Sequence, residues 1–209
     1  MADVIEKWLK VQTYWTNLVS VFSGGDIAKQ MPAEAKKFKI IDKRWMKIME
    51  NAAETRNVIS CCTNEILKSS LGDLQEGLED CSKKLESYLE NKRGIFPRFY
   101  FVSNADLLKI LSVGSDPNAV QDDFEKLFDA VSRVTFDEDD RRLIIKISKI
   151  LGNGDTESVQ LVDGVQAEGN IEDWLNRLEK DMQKSVKKVC KDGLLSVEKR
   201  DLKPFAFET

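Results

Sequence analysis

The chain has 209 residues (23.8 kDa), 33% of them charged and 42% hydrophobic, with a net charge of −4. This balance fits a folded, helix-leaning protein of one large or two small domains, and excludes a disordered or membrane-embedded one. Its acidity argues against bulk nucleic-acid binding, and the lack of any histidine excludes Ser-His-Asp and Cys-His nucleophiles and His-ligated metals. The four cysteines, Cys61, Cys62, Cys81 and Cys190, contain no CxxC spacing and read as reduced thiols of a reducing, aqueous compartment. The acidic, amphipathic start is no signal peptide, and no apolar run approaches the roughly 18 residues of a membrane span.

Residues 4–22 place Ile5, Trp8, Val11 or Gln12, Trp15, Leu18 and Phe22 on one helical stripe. "SGGD" ends it, a short helix follows over 25–30, and Pro32 suits the first turn of another. Phe38, Ile41, Trp45, Ile48 and Ala52 continue the pattern, and a further short helix is expected over 54–62. Residues 69–93 give the cleanest periodicity: Leu71, Leu74, Leu78, Cys81, Leu85 and Tyr88. Glu79 with Lys83 and Asp80 with Lys84 form i,i+4 pairs on its outer surface.

Gly94 suits a left-handed helix end, and Pro97 prevents the helix from resuming. "RFYFV" favours extended structure, so 94–103 reads as a buried extended crossover. Phe96, Phe99 and Tyr100 are its expected core, together with Trp45 and Trp174 from the helices. Ser103, with Asp106 three residues on, looks like the cap of "NADLLKILS". Helix resumes over 117–131 with Phe124, Leu127, Phe128 and Val131 inward.

The character then changes. "RVTF", "RLIIKISKIL" and "ESVQLV" are β-branched, and "GNGD" between the last two predicts a β-hairpin over 143–162. Asn170 is a good cap for a last helix over 171–190, with Ile171, Trp174, Leu178, Met182 and Val186 inward. Residues 200–209 have no assigned partner. The expected fold is mainly α, an elongated helical bundle or rod with one small β-hairpin. Its parts are a helical segment over 1–132, the hairpin insertion over 133–168, and a helix and tail over 169–209.

No catalytic constellation emerges. "LGNGDTES" lacks the pattern and the lysine of a phosphate loop and reads as a turn. "FDEDD" at 136–140 reads as a solvated loop, since a hard cation needs oxygens converging from several directions. Lys184, Lys187, Lys188 and Lys191 share one helix face, which reads as solvated, with docking on an acidic partner as the alternative.

Three stretches resemble the linker region of dynein heavy chains: "WLKVQTYWTNLVSVFSGGDIAKQMPAEAKKFKIIDKRWMKIM" (8–49), "LESYLENKRGIFPRFYFVSNADLLKILS" (85–112) and "VQDDFEKLFDAVSRVTF" (120–136). The likeness extends through "AEGNIEDWLNRLEKDMQKSV" (167–186), and "FSGGDIAKQ", "EAKKF" and the paired cysteines look most like axonemal outer-arm chains of the gamma kind. The resemblance implies an excised piece of a very large motor subunit, its first methionine added. It implies a helical lever that arches over an AAA+ ATPase ring, swings as the ring changes nucleotide, and moves the tail. Catalysis, ATP and Mg²⁺ would belong to the ring, with no cofactor in this segment. The implied partners are that ring and the tail, with no nucleic acid and no membrane, in the cytoskeleton of a cilium or flagellum. The segment itself is expected to be monomeric. Within it, Gly152, Asn153, Gly154, Asp155 and Thr156 at the hairpin tip are the candidate ring contact. The alternatives are a helical adaptor that pairs through the seam at 69–93 and, more remotely, a small nucleotide hydrolase.

Overall fold

The computed structural model describes residues 1–197. The unassigned stretch 200–209 lies outside the described residues. The fold is mainly α with a small antiparallel sheet, and the chain divides into two compact units. One comprises 1–94 with 104–113; the other comprises 95–103 with the chain from 114 onward.

The first unit begins with α1 (Ala2–Phe22), α2 (Gly25–Gln30) and α3 (Pro32–Thr55). On α1 the fully buried positions are Val4, Val11, Leu18, Val21 and Phe22, with Trp8 and Trp15 half-buried; Ile5 lies to the side, 41% exposed. Trp15 uses its indole N–H to donate to Asp42 of α3 at 2.9 Å, which satisfies the polar end of a largely apolar ring. Trp8 meets Trp45 edge to face at 5.9 Å.

The helix expected over 54–62 is interrupted. Arg56 turns left-handed (φ 49°), Asn57 accepts the Ser60 amide, and α4 (Val58–Cys62) starts there. An asparagine in extended backbone is a strong N-cap, so the chain changes direction rather than continuing α3.

The long helix α5 (Glu65–Ile95) runs antiparallel to α3, as their cross-links show: Lys37 to Asp80 at 2.7 Å, Lys84 to Glu34 at 3.6 Å, Arg44 to Asp73 at 3.6 Å. Its seam of Leu67, Leu71, Leu74, Leu78, Cys81, Leu85 and Leu89 is buried within the chain. Tyr88 sits at the margin, donating to Gln30. Of the two expected surface pairs, Asp80–Lys84 forms at 3.3 Å, whereas Glu79 accepts from Gln75 instead. At Gly77 the two helices pack without room for a side chain, since a Cβ there would stand 2.8 Å from Cδ1 of Ile41.

Gly94 does not end α5. It has no left-handed backbone, and the helix continues to Ile95. The terminator is Pro97, which forces Phe96 before it into an extended conformation (φ −124°, ψ 93°). Nor is the following stretch an extended crossover: Pro97–Phe101 is a 3₁₀ helix. Three residues per turn align i and i+3. Phe96, Phe99 and Val102 accordingly form the buried row, and Tyr100, expected in the core, is 61% exposed beside Phe101 at 81%. Helix α6 (Asn104–Ser112) then returns to the first unit, where the carbonyl of its Ser112 faces Gly25 of α2.

In the second unit, helix over the predicted 117–131 is confined to a 3₁₀ turn (Gln121–Asp123) and α7 (Phe124–Leu127). Phe124, Leu127, Phe128 and Val131 are all buried, but Phe128 is already extended, leading the chain toward the sheet. The sheet has three strands rather than a lone hairpin, in the order β1 (Arg133–Phe136), β2 (Leu143–Ile150), β3 (Thr156–Gln166). Between Ile144 and Lys146 the register with β3 slips from Val165 to Gln160. Gly164 permits this bulge: its φ is +74°, and a Cβ would sit 3.3 Å from the Ile144 carbonyl. Helix α8 (Ile171–Val197) covers β3 and buries Trp174, Leu175 and Leu178.

Candidate functional site

The expected contact point is the turn between β2 and β3. Leu151 N–H donates to the Asp155 carbonyl at 2.8 Å and Gly154 N–H to the Leu151 carbonyl at 2.9 Å. The Asn153 side chain accepts the Asp155 amide at 3.0 Å and donates to the Asp155 carboxylate at 2.6 Å. Gly154 supplies the left-handed position (φ +89°) that a β-branched residue would resist. Gly152, Asn153, Gly154, Asp155 and Thr156 are all exposed. The tip is thus a self-closed turn whose polar side chains engage each other. Chemically it offers a shaped, hydrogen-bonding protrusion.

The far end of the same strands is tied down. In the loop after β1, Asp137 accepts the amides of Asp139 and Asp140 at 3.0 and 3.3 Å. Asp140 in turn accepts the Arg142 amide and the Gln166 side chain, both at 2.9 Å. These bonds, the Gln166 amide foremost, hold the Asp140 carboxyl below its ordinary value. The acids of "FDEDD" therefore build turns, and among the described residues no cluster of three or more His, Cys, Asp or Glu groups suits a metal ion.

Both sheet margins are capped by side chains. On the β1 side, Gln121 donates to the Val134 carbonyl at 2.9 Å and accepts its N–H at 3.1 Å, imitating a neighbouring strand. On the β3 side, Ser185 of α8 accepts the Val162 amide at 2.9 Å, and Asp181 accepts those of Asp163 and Gly164 at 3.2–3.4 Å. Asp181 is only 7% exposed, so these bonds take the place of the water it has lost. Sequence reading missed both devices. Asp181 and Ser185 carry a recoverable signal, being polar residues four apart on the inward face of an amphipathic helix.

Five aromatic residues of the second unit, Phe96, Phe99, Phe124, Phe128 and Trp174, form one cluster. Phe96 meets Phe99 edge to face at 5.0 Å and Phe128 at 6.2 Å; Phe124 links Phe128 (6.4 Å) to Trp174 (6.3 Å). Arg98 lies 4.8 Å over the Phe128 ring and pairs with Glu179 of α8 at 3.0 Å. Asn176 of α8 donates to the Ile95 carbonyl at 3.0 Å, satisfying an acceptor left open at the end of α5. Phe96, Phe99 and Trp174 are fully buried here, and Trp45 is buried in the first unit.

The first unit also carries an apolar cleft of about 360 Å³, lined chiefly by Ile5, Trp8, Leu9, Ala52, Val58 and Cys61. Its only sequence signal was Ile5 and Leu9, apolar residues just off the buried stripe. Burial pushes the Cys61 thiol up, and Cys61 and Cys62 are separate thiols.

Among the described residues, neither the tip nor the cleft brings a nucleophile, a base and an oxyanion donor together. The chain is similar to axonemal dynein heavy chains. It is 44% identical over 209 residues to the dynein gamma chain of the flagellar outer arm of Chlamydomonas reinhardtii, covering 99% of this chain and 4% of that one. It is 43% identical over 197 residues to dynein axonemal heavy chain 5 of Rattus norvegicus, covering 94% and 6%. It is 42% identical over 197 residues to dynein axonemal heavy chain 8 of Homo sapiens, covering 94% and 4%. The chain thus spans about a twentieth of the length of these relatives. Residues 1–193 match the family described as Dynein heavy chain, N-terminal region 2, and the chain belongs to that family.

Proposed function

We propose that this segment is a non-catalytic lever of an axonemal dynein heavy chain, passing conformational change from an ATPase ring elsewhere in the same polypeptide to its tail. The observation that carries the reading is the family match over residues 1–193, joined by relatives named for the axoneme and the flagellar outer arm. Its place is then the axoneme of a cilium or flagellum. Its partners are the ring and the tail, and nucleotide and Mg²⁺ are handled by the ring. The long helices of the first unit and the aromatic cluster of the second are each densely packed with buried apolar side chains, the kind of packing that resists deformation under load. A ring can shift a lever only by contacting it differently in different states. The turn at Gly152–Thr156 is the proposed contact, being exposed yet held in one shape by its own hydrogen bonds.

The test uses a full heavy chain carrying this segment. Phe96→Ala together with Phe99→Ala is expected to slow microtubule gliding while ATP turnover persists, because work is lost after hydrolysis. Unchanged gliding by a demonstrably destabilised variant rejects the lever. Deleting residues 152–155 and finding motility intact removes the turn from the mechanism while leaving the lever standing. The adaptor alternative fares worse, since the seam it would use on α5 is already buried inside the chain. Light scattering separates the two: 23.8 kDa in solution fits the lever, and twice that mass fits the adaptor.

A further inference from the structure

Helix α8 concentrates positive charge between Arg177 and Lys191, on a chain whose net charge is −4. Arg177, Lys180, Lys184, Lys187, Lys188 and Lys191 are all exposed. At about 100° per residue they fall within an arc of roughly 100°, and at 1.5 Å per residue they extend about 21 Å along the helix. Six neighbouring pairs along this stripe, such as Lys184 with Lys188 and Lys187 with Lys191, are like charges at i,i+3 or i,i+4. Each such pair disfavours the helix that holds it.

Relief within the chain is slight. Lys184 pairs with Asp163, and Arg177 donates to the carbonyls of Gln166 and Glu168. Asp181 borders the stripe, but its carboxylate is spent on the β3 amides. Among the described residues, Lys180, Lys187, Lys188 and Lys191 have no acidic partner within ion-pair distance. Five surface lysines elsewhere, Lys10, Lys29, Lys37, Lys68 and Lys84, each have one, whereas among the described residues Lys36, Lys39, Lys43 and Lys47 on α3 have none; the α8 stripe holds six cations over 15 residues. At its start the stripe borders a cleft of about 390 Å³ between β3 and α8, whose lining includes Arg177, Lys180 and Lys184 together with Asp163 and Asp181.

We propose that the basic stripe from Arg177 to Lys191 docks an acidic polypeptide segment belonging to the same heavy chain outside these 209 residues. The stripe has no aromatic side chain for base stacking or for insertion at a bilayer surface, which favours a protein ligand over a nucleic acid or a membrane. Exposed ion pairs are individually weak, and a tether supplies the effective concentration that makes a row of them count. The assignment in cis rests on this chain being part of a longer heavy chain; the acidic-ligand chemistry does not.

Two measurements test it. A fluorescent glutamate-rich peptide is titrated into the 209-residue chain by anisotropy at low salt. The comparison is Lys180→Glu/Lys187→Glu/Lys188→Glu/Lys191→Glu, its helix content checked by circular dichroism, with the corresponding four Lys→Gln changes in reserve should it misfold. Saturable binding is expected, screened by added salt and weaker on the order of tenfold in the variant. No binding by the native chain, equal binding by the variant, or tighter binding of phosphatidylserine vesicles or oligothymidylate overturns the proposal. The second measurement treats the full heavy chain, at high dilution, with a carbodiimide that joins touching amines and carboxylates. Links from Lys187, Lys188 or Lys191 to acidic residues of the same heavy chain outside these 209 residues are expected; links only within the 209 residues, only to other polypeptides, or none, overturn the assignment in cis.

Discussion

Replacing Phe96 by alanine removes a fully buried ring that touches two others, Phe99 at 5.0 Å and Phe128 at 6.2 Å. Truncating a buried phenylalanine costs about 3–5 kcal/mol. The edge-to-face pair contributes about 0.5–1.5 kcal/mol of its own. Phe99→Ala loses the same pair, so the double variant should cost less than the two singles combined, by about that coupling. Tyr100→Ala, one residue away but 61% exposed, should stay within about 0.5 kcal/mol of the native chain. Since a domain has only about 5–15 kcal/mol to lose, the contrast should be large. Trp174 is the second unit's sole tryptophan, so urea unfolding followed by its fluorescence, with Trp8, Trp15 and Trp45 changed to phenylalanine, reports this unit. Hydrogen exchange of α8 amides in the otherwise native chain provides a check. If Phe96→Ala and Phe99→Ala each cost under about 1 kcal/mol, or Tyr100→Ala costs as much as they do, the buried row of Phe96, Phe99 and Val102 does not hold this unit together.

Asp181→Ala strands the amides of Asp163 and Gly164 and should lower stability by about 1–3 kcal/mol, with faster exchange at those two amides; unchanged exchange would show that the carboxylate does not hold them. On acidification, Glu125 and Asp140 matter. The Ser132 hydroxyl and then Lys149 hold Glu125 below its ordinary value, and Gln166 and the Arg142 amide do so for Asp140. A depressed carboxylate contributes stability above its unfolded-state value and loses it as pH falls through its folded one. Urea midpoints should therefore decline below about pH 4, and Asp140→Asn should flatten that decline; an identical acid limb would count against the argument. Cys190 is exposed, whereas burial raises the Cys61 and Cys81 thiols. Iodoacetamide should label Cys190 first and Cys81 only on unfolding, an order that peptide mass spectrometry can read.

What was legible in the sequence follows from period. Helical stripes located α1, α3, α5 and α8 because apolar spacing of three and four survives any tertiary context. Gly94 misled because glycine permits a helix end without imposing one, whereas Pro97 imposes it. Tyr100 misled because alternation over five residues cannot separate an extended chain from a 3₁₀ turn; only the burial of Phe96, Phe99 and Val102 reveals a period of three. The strand β1 is four residues long and its pairing is distant in sequence, so "RVTF" suggested β structure without revealing its partner. The side-chain caps were invisible for a different reason. Gln121 and Asp181 act at 13 and 17–18 residues' separation, and no local pattern links a glutamine or an aspartate to an amide so far along the chain.

The lid that α8 places on β3 has a consequence for how this segment fails. Val162, Asp163 and Gly164 are quenched together by two side chains a single turn apart, so detaching that one helix would unmask all three at once. A strand bared in this way recruits other strands. Damage that loosens α8 should therefore announce itself as clumping of misfolded chains, well before the bulk of the helices melts.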